Sequence, residues 1–198
     1  MCLYYELRKM KTNPPAVPST GASLAAVVLL AWAFTMWSPR IAQAQGTIYI
    51  SSLGVPSTGI ASVGSDSWLA EGFGTGTNAS GYVLNSVQLA LGDAVGNPSG
   101  FTAKIYNVNP LIVVGAVPGS SLGILNGSLD PVAAGIYTYT PGSTLTLSPG
   151  TPYFIVLTAG TAVADGAHNW SFTRTHNTTV SGGWNGGGAL LSSSDGMR

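Results

Sequence analysis

The sequence predicts an all-β fold, an antiparallel two-sheet β-sandwich of jelly-roll-like order, with a closed barrel as the alternative. Three observations lead there. Short runs alternate apolar and polar residues with period two, the signature of strands with one face in a core. Turn-forming residues separate the runs. No stretch beyond residue 44 repeats its apolar residues at the 3.6-residue period of a helix over three turns.

The elements follow in order. Val87, Leu89 and Leu91 share one face of a strand, with Gln88 and Ala90 on the other. Phe101, Ala103 and Ile105 alternate with Thr102, Lys104 and Tyr106. Ile136, Thr138 and Thr140 alternate with Tyr137 and Tyr139, Leu145 and Leu147 with Thr144 and Thr146, and Trp170 and Phe172 with Ser171 and Thr173. Tyr153 to Leu157 is apolar on both faces and reads as a central strand. Between the runs stand Ser80-Gly81, Gly92-Asp93, Asn97-Pro98-Ser99-Gly100, Pro118-Gly119, Asn126-Gly127, Pro141-Gly142, Pro149-Gly150 and Asp165-Gly166. They supply the fixed or positive φ that tight turns need. The expected strand number is about eight or nine, at sandwich-like spacing. Gly182 to Gly188, with Trp184 at its centre, is too glycine-rich for a regular strand and reads as a mobile loop.

Residues 1–44 are of another kind. Arg8, Lys9 and Lys11 form a basic start, Gly21 to Trp37 is a run of apolar and small residues, and Ala42-Gln43-Ala44 follows. These are the three parts of a secretory signal peptide, cut between Ala44 and Gln45. Met10 is an alternative start that would omit Cys2. The domain organisation is therefore a signal peptide, 1–44, and a single β-domain, 45–198, which is exported and works secreted, outside the cell or on its surface. The membrane is met only in transit, through the leader.

Composition narrows the function. Charged residues are 7% of the chain, against about 25% in ordinary domains. In 45–198, Asp66, Glu71, Asp93, Asp130, Asp165 and Asp195 face only Lys104, Arg174 and Arg198. That balance lacks the cationic face of a nucleic-acid binder. Cys2 is the one cysteine, so no disulfide holds the exported part. Its core must be sufficient alone, as it can be at this length.

A series of motifs then resembles a known family. Trp68-Leu69-Ala70-Glu71-Gly72-Phe73-Gly74-Thr75-Gly76 is similar to W-L-A-Q-x-F-x-T-G, and Gly81 to Leu89 to G-Y-x-L-x-S-V-x-L. Pro98 to Tyr106, Pro118 to Gly123, Ala134 to Tyr139, Leu145 to Tyr153 and Ser181 to Trp184 continue the order. Together they resemble the choice-of-anchor R domain of exported bacterial proteins, over about residues 48–195. The resemblance implies export and no catalytic residues. Many members carry a C-terminal sorting signal, often of the PEP-CTERM type. After Ser192 to Arg198 there is none, so anchoring is not carried over. The expectation is a released protein, or one lacking its last strand. Bacterial export also leaves the four N-x-S/T sequons at Asn78, Asn126, Asn169 and Asn177 bare.

Sites of chemistry are few. Gly119-Ser120-Ser121-Leu122-Gly123 matches G-x-S-x-G, but a nucleophile elbow needs a helix after the serine, and the sequence reads as a turn entering a strand. Asp165, His168 and His176 are the only cluster suited to a metal or a base, and they flank a strand without converging. Gly72 to Gly76 is not a G-x-G-x-x-G phosphate cradle. Acidic residues beside glycines read as turn caps. Asp66, Asp93 and Asp130 are the candidates for a structural calcium ion, because hard cations take oxygen ligands. No other cofactor is expected. Aromatic rings are the better candidates for binding, since ring faces stack on sugars. Trp184, as an exposed ring in a glycine loop, leads, with Trp170, Trp68 and Tyr106. The expected function is a non-catalytic structural or interaction domain of the cell surface or extracellular matrix, with other surface proteins as partners. The alternative is a carbohydrate-binding module for an extracellular polysaccharide.

Overall fold

Alternating apolar rows have only one way to leave water together, which is to face one another across a layer of side chains. A computed structural model of the protein describes residues 3–8, 47–109, 116–173, 179–186 and 190–194. Among these residues every element is a strand. They are β1 (Leu3–Arg8), β2 (Thr47–Ser51), β3 (Gly59–Val63), β4 (Trp68–Gly74), β5 (Tyr82–Gly96), β6 (Thr102–Val108) and β7 (Pro118–Asn126), then β8 (Gly135–Pro141), β9 (Thr146–Leu147), β10 (Pro152–Thr158), β11 (Gly166–Phe172), β12 (Thr179–Val180), β13 (Asn185–Gly186) and β14 (Leu191–Ser193). The all-β class is as the sequence predicts.

All pairings are antiparallel. The strand path runs β12-β2-β1-β5-β8-β7-β6-β10-β4-β13, with β11 and β9 also on β5, β3 on β11 and β14 on β4. Two faces pack on one another, but the sheet is continuous between them. It turns the corner where Leu125 and Asn126 of β7 pair Pro141 and Thr140 of β8, so the whole is a curled antiparallel sheet.

Period two decides what goes inside. Val87, Leu89 and Leu91 of β5 are buried, as are Ala103 and Ile105 of β6 with Phe101 just before it. On β8 the tyrosines face inward: Tyr139 is 1% exposed and Ile136 is 59% exposed. Tyr139 Oη donates to the Ser128 carbonyl at 3.0 Å, which lets a phenol sit in a core without an unmet donor. β10 is buried on both faces. Tyr153, Ile155 and Leu157 join the main core, and Phe154 and Val156 join a second cluster on the outer side.

β1 lies in residues 1–44, the segment expected to be a leader. Leu3 to Arg8 lies between β2 and β5 within the same compact unit as residues 46–198. The expected cleavage junction, Ala44 and Gln45, lies outside the described residues. Among the described residues no helix is long and apolar enough to cross a membrane.

Candidate functional site

The outer side of β4, β10 and β6 is the best-formed candidate surface. Ladder register puts Tyr106 beside Phe154 and Lys104 beside Val156, with Ala70 on the other side of Val156. Ala70, Phe154 and Val156 are buried there, and Trp68, Tyr106, Val108 and Leu191 pack on them half-buried. Alternation sets this arrangement, because residues two apart on a strand share a face. The indole of Trp68 is held by Nε1 donating to the Ser65 carbonyl at 3.1 Å. Trp68 is the residue before Leu69, which pairs Leu157, and Tyr106 pairs Phe154, so the strip between the two rings runs about 13 Å along the strands at the usual rise per residue. Burial raises the Tyr106 phenol above its ordinary pKa, so the hydroxyl stays protonated and can donate at neutral pH. Two rings on an apolar strip, with the half-buried Lys104 between them, can stack on a flat ligand and bond its hydroxyls.

The other two predicted rings are not available to a ligand. Trp170 is 0% exposed, and Trp184 is 3% exposed. The expectation that Trp184 stands out in a loop is corrected. Its ring stacks on Tyr49 at 5.1 Å and on Phe73 at 6.0 Å, and meets Tyr82 edge-on at 4.9 Å. Gly182 and Gly183 adopt φ of 61° and 76°, a tight turn that glycine makes at little cost and that closes with Trp184 N donating to Ser181 O at 3.1 Å. The turn folds the indole inward. Asn185 and Gly186 then pair with Gly74 and Phe73 as β13, so part of the supposed loop is strand. The glycines of Gly72 to Gly76 also have their reason here. A Cβ on Gly76 would collide with the Gly182 carbonyl and approach Trp184 Cδ1 to 2.9 Å.

The predicted acid–base and metal candidates are dispersed. His168 is fully buried, its Nδ1 3.3 Å from the Pro131 carbonyl and its ring edge-on to Phe101 at 5.1 Å. Burial holds its pKa below the ordinary value, so it is a neutral core residue at pH 7. Asp165 is exposed on the turn before β11, and His176 lies outside the described residues. Ser121 sits inside β7, which continues to Asn126 where an elbow would need a helix. Each aspartate considered for calcium accepts from the backbone amide of a different, distant segment. Asp66 accepts from Val163 N at 2.8 Å, Asp93 from Ala134 N at 2.8 Å and Asp130 from Gly100 N at 3.0 Å. Among the described residues no three His, Cys, Asp or Glu side chains gather as a metal site.

Sequence reasoning missed Glu71. It lies mid-strand on β4 between Leu69 and Phe73, on the face turned to the main core, and is 4% exposed. Burial pushes its carboxyl up to about 8, so the acid is mostly protonated at neutral pH. The signal was present as the alternation Leu69-x-Glu71-x-Phe73, which puts the carboxyl inside. Alternation likewise places Lys104 and Phe154 on strands without showing that they meet on one outer strip.

No family model matches the chain, and no curated protein or solved structure matches it.

Proposed function

We propose that the protein is an exported, non-catalytic all-β module of the cell surface or extracellular matrix, with a structural or interaction role. In this reading it is a member of the choice-of-anchor R family, and its curled sheet is a jelly-roll-like sandwich with β7 and β8 as the corner. The single observation that carries the role is how the polar groups are used. Asp66, Asp93 and Asp130 each hold a turn amide, and His168 is neutral in the core. Groups fixed in turns and cores serve the scaffold, while the surface offers exposed apolar residues such as Ile60, Val95 and Ile136. The scaffold needs no cofactor. Partners are other surface proteins, with no nucleic acid, and the membrane enters only through the leader. Purified protein is expected to give no turnover of chromogenic ester, glycoside or phosphoester substrates, and measurable turnover would overturn the reading.

The strip of Trp68 and Tyr106 favours a second reading, a carbohydrate-binding module for an extracellular polysaccharide. Sedimentation with insoluble polysaccharides separates the two. Retention that falls at least about tenfold in Trp68→Ala, the loss of one good stacking contact, supports the sugar reading. Equal retention of both proteins, or none, removes it.

A further inference from the structure

We propose that the edge of β5 from Val83 to Leu89, with the edge of β2 facing it, is an acceptor slot for an extended strand of another polypeptide, and that Leu3–Arg8 is its placeholder before export. That β1 departs and leaves the slot open rests on the export reading above; the register and its capacity to exchange strands do not.

The register defines the slot. Leu3 pairs Leu89, Tyr5 pairs Val87, Leu7 pairs Leu84 and Arg8 pairs Val83. On the other side Tyr4, Glu6 and Leu7 pair Ser51, Ile48 and Thr47. A strand seated here is therefore hydrogen-bonded along both edges, which gives affinity without regard to side chains. Selectivity comes from one face. Leu84, Val87 and Leu89 are buried, and directly opposite residues of antiparallel strands share a face. A guest must thus carry apolar residues at alternate positions, as Leu3, Tyr5 and Leu7 do.

The slot outlasts its occupant because β2 is pinned from its far side. Thr179 and Val180 pair Ser51 and Ile50, Ser181 N donates to Tyr49 O at 2.9 Å, and Ser181 Oγ donates to Ile48 O at 3.2 Å. Ile50 is in the core, and the Tyr49 ring stacks on Trp184. These contacts hold β2 one strand's width from β5 instead of letting it slide across. Removal of a leader containing β1 leaves two unpaired edges facing each other, a template for strand addition. The guest is fixed in kind by the segment already seated: an extended stretch of about six residues, apolar at every second position, running antiparallel to β5.

The test uses the full chain carrying Tyr5→Pro, because proline removes a ladder donor and is excluded from a strand paired on both sides. The probe is a labelled synthetic peptide of residues 3–10. In the wild type the amides within Val83 to Leu89 that face β1 are expected to be protected from hydrogen exchange and the peptide not to bind; Leu84 N, which donates to Leu145 O at 2.9 Å on the opposite edge, is the internal control. In the variant those amides exchange at least about tenfold faster, the peptide binds saturably and restores protection, and a peptide with proline at the third position does not bind. Amides that stay protected in the variant without peptide, exposed amides that take up no peptide, or closure of the slot by concentration-dependent self-association would each overturn the proposal. Should Tyr5→Pro fail to fold, a full chain with a protease site inserted after Met10 gives the same answer. After the cut, residues 1–10 stay bound and excess labelled peptide displaces them, or the proposal falls. Export is judged separately: secreted protein that keeps residues 3–8 contradicts the leader reading while peptide exchange remains measurable.

Discussion

β10 and β5 are both central strands, and they are held in different ways. β10 is flanked by β4 and β6 and buried on both faces, so both of its ladder partners lie in residues 46–198. β5 is longer and buried on alternate residues. β8, β9 and β11 cover much of its two edges, but from Val83 to Leu89 one edge rests on β1. The difference teaches where the fold is self-sufficient. Among the described residues, neither ladder partner of β10 comes from residues 1–44, whereas β5 has one, β1, that does.

The contrast can be broken from the β10 side. Val156→Pro removes a ladder donor from a strand paired on both edges, a place proline does not occupy in natural sheets, and is expected to abolish the cooperative unfolding transition and the β-sheet circular dichroism. Gly76→Ala comes next. The new methyl meets the Gly182 backbone, and such overpacking costs about 1–3 kcal/mol. It is expected to lower the denaturant midpoint and to increase tryptophan exposure as Trp184 is pushed from its cluster.

Glu71 sharpens the comparison, because it is a carboxyl set into the layer of β10. Its folded pKa is raised, so the folded state holds the proton that the unfolded chain releases. The stability it contributes is full below pH 4.5 and is lost as pH rises to about 8. His168 acts in the opposite sense. With its folded pKa lowered, its contribution is full above pH 6.5 and is lost as pH falls below it. Wild-type stability is therefore expected to fall by about 2 kcal/mol between pH 6.5 and 8. Glu71→Gln is expected to be flat over that range, and denaturant titrations at the two pH values check it. The smallest effect is expected at Asp93→Ala, which frees the Ala134 amide where β8 enters beside β5. Loss of that bond costs about 1 kcal/mol, read as a small shift in melting temperature.

Much of the fold was legible because its strands obey one rule. Tyr153 to Leu157 reads as a strand buried on both faces, and it is one. Val87, Leu89 and Leu91 read as one face, and that face is inside. The site was less legible. Glycine content says only that the backbone is free to turn, not where the turn sends the next side chain, so Trp184 reads as exposed and lies in the core. Asp66, Asp93 and Asp130 read as caps of their own turns or as calcium ligands, but each accepts from the amide of a segment distant in sequence, Val163, Ala134 and Gly100, and Asp93 lies within β5. Leu3 to Arg8 stands at the head of the segment read as a leader yet alternates like a strand, and only the pairing partners on β5 and β2 bring out the alternation.

The most direct test of the account is the intact mass of the protein recovered from outside the cell. It is expected to correspond to a chain beginning at Gln45, without β1. A mass that retains Leu3–Arg8 would contradict it, for the segment would then be a permanent strand of the sheet and not part of a leader.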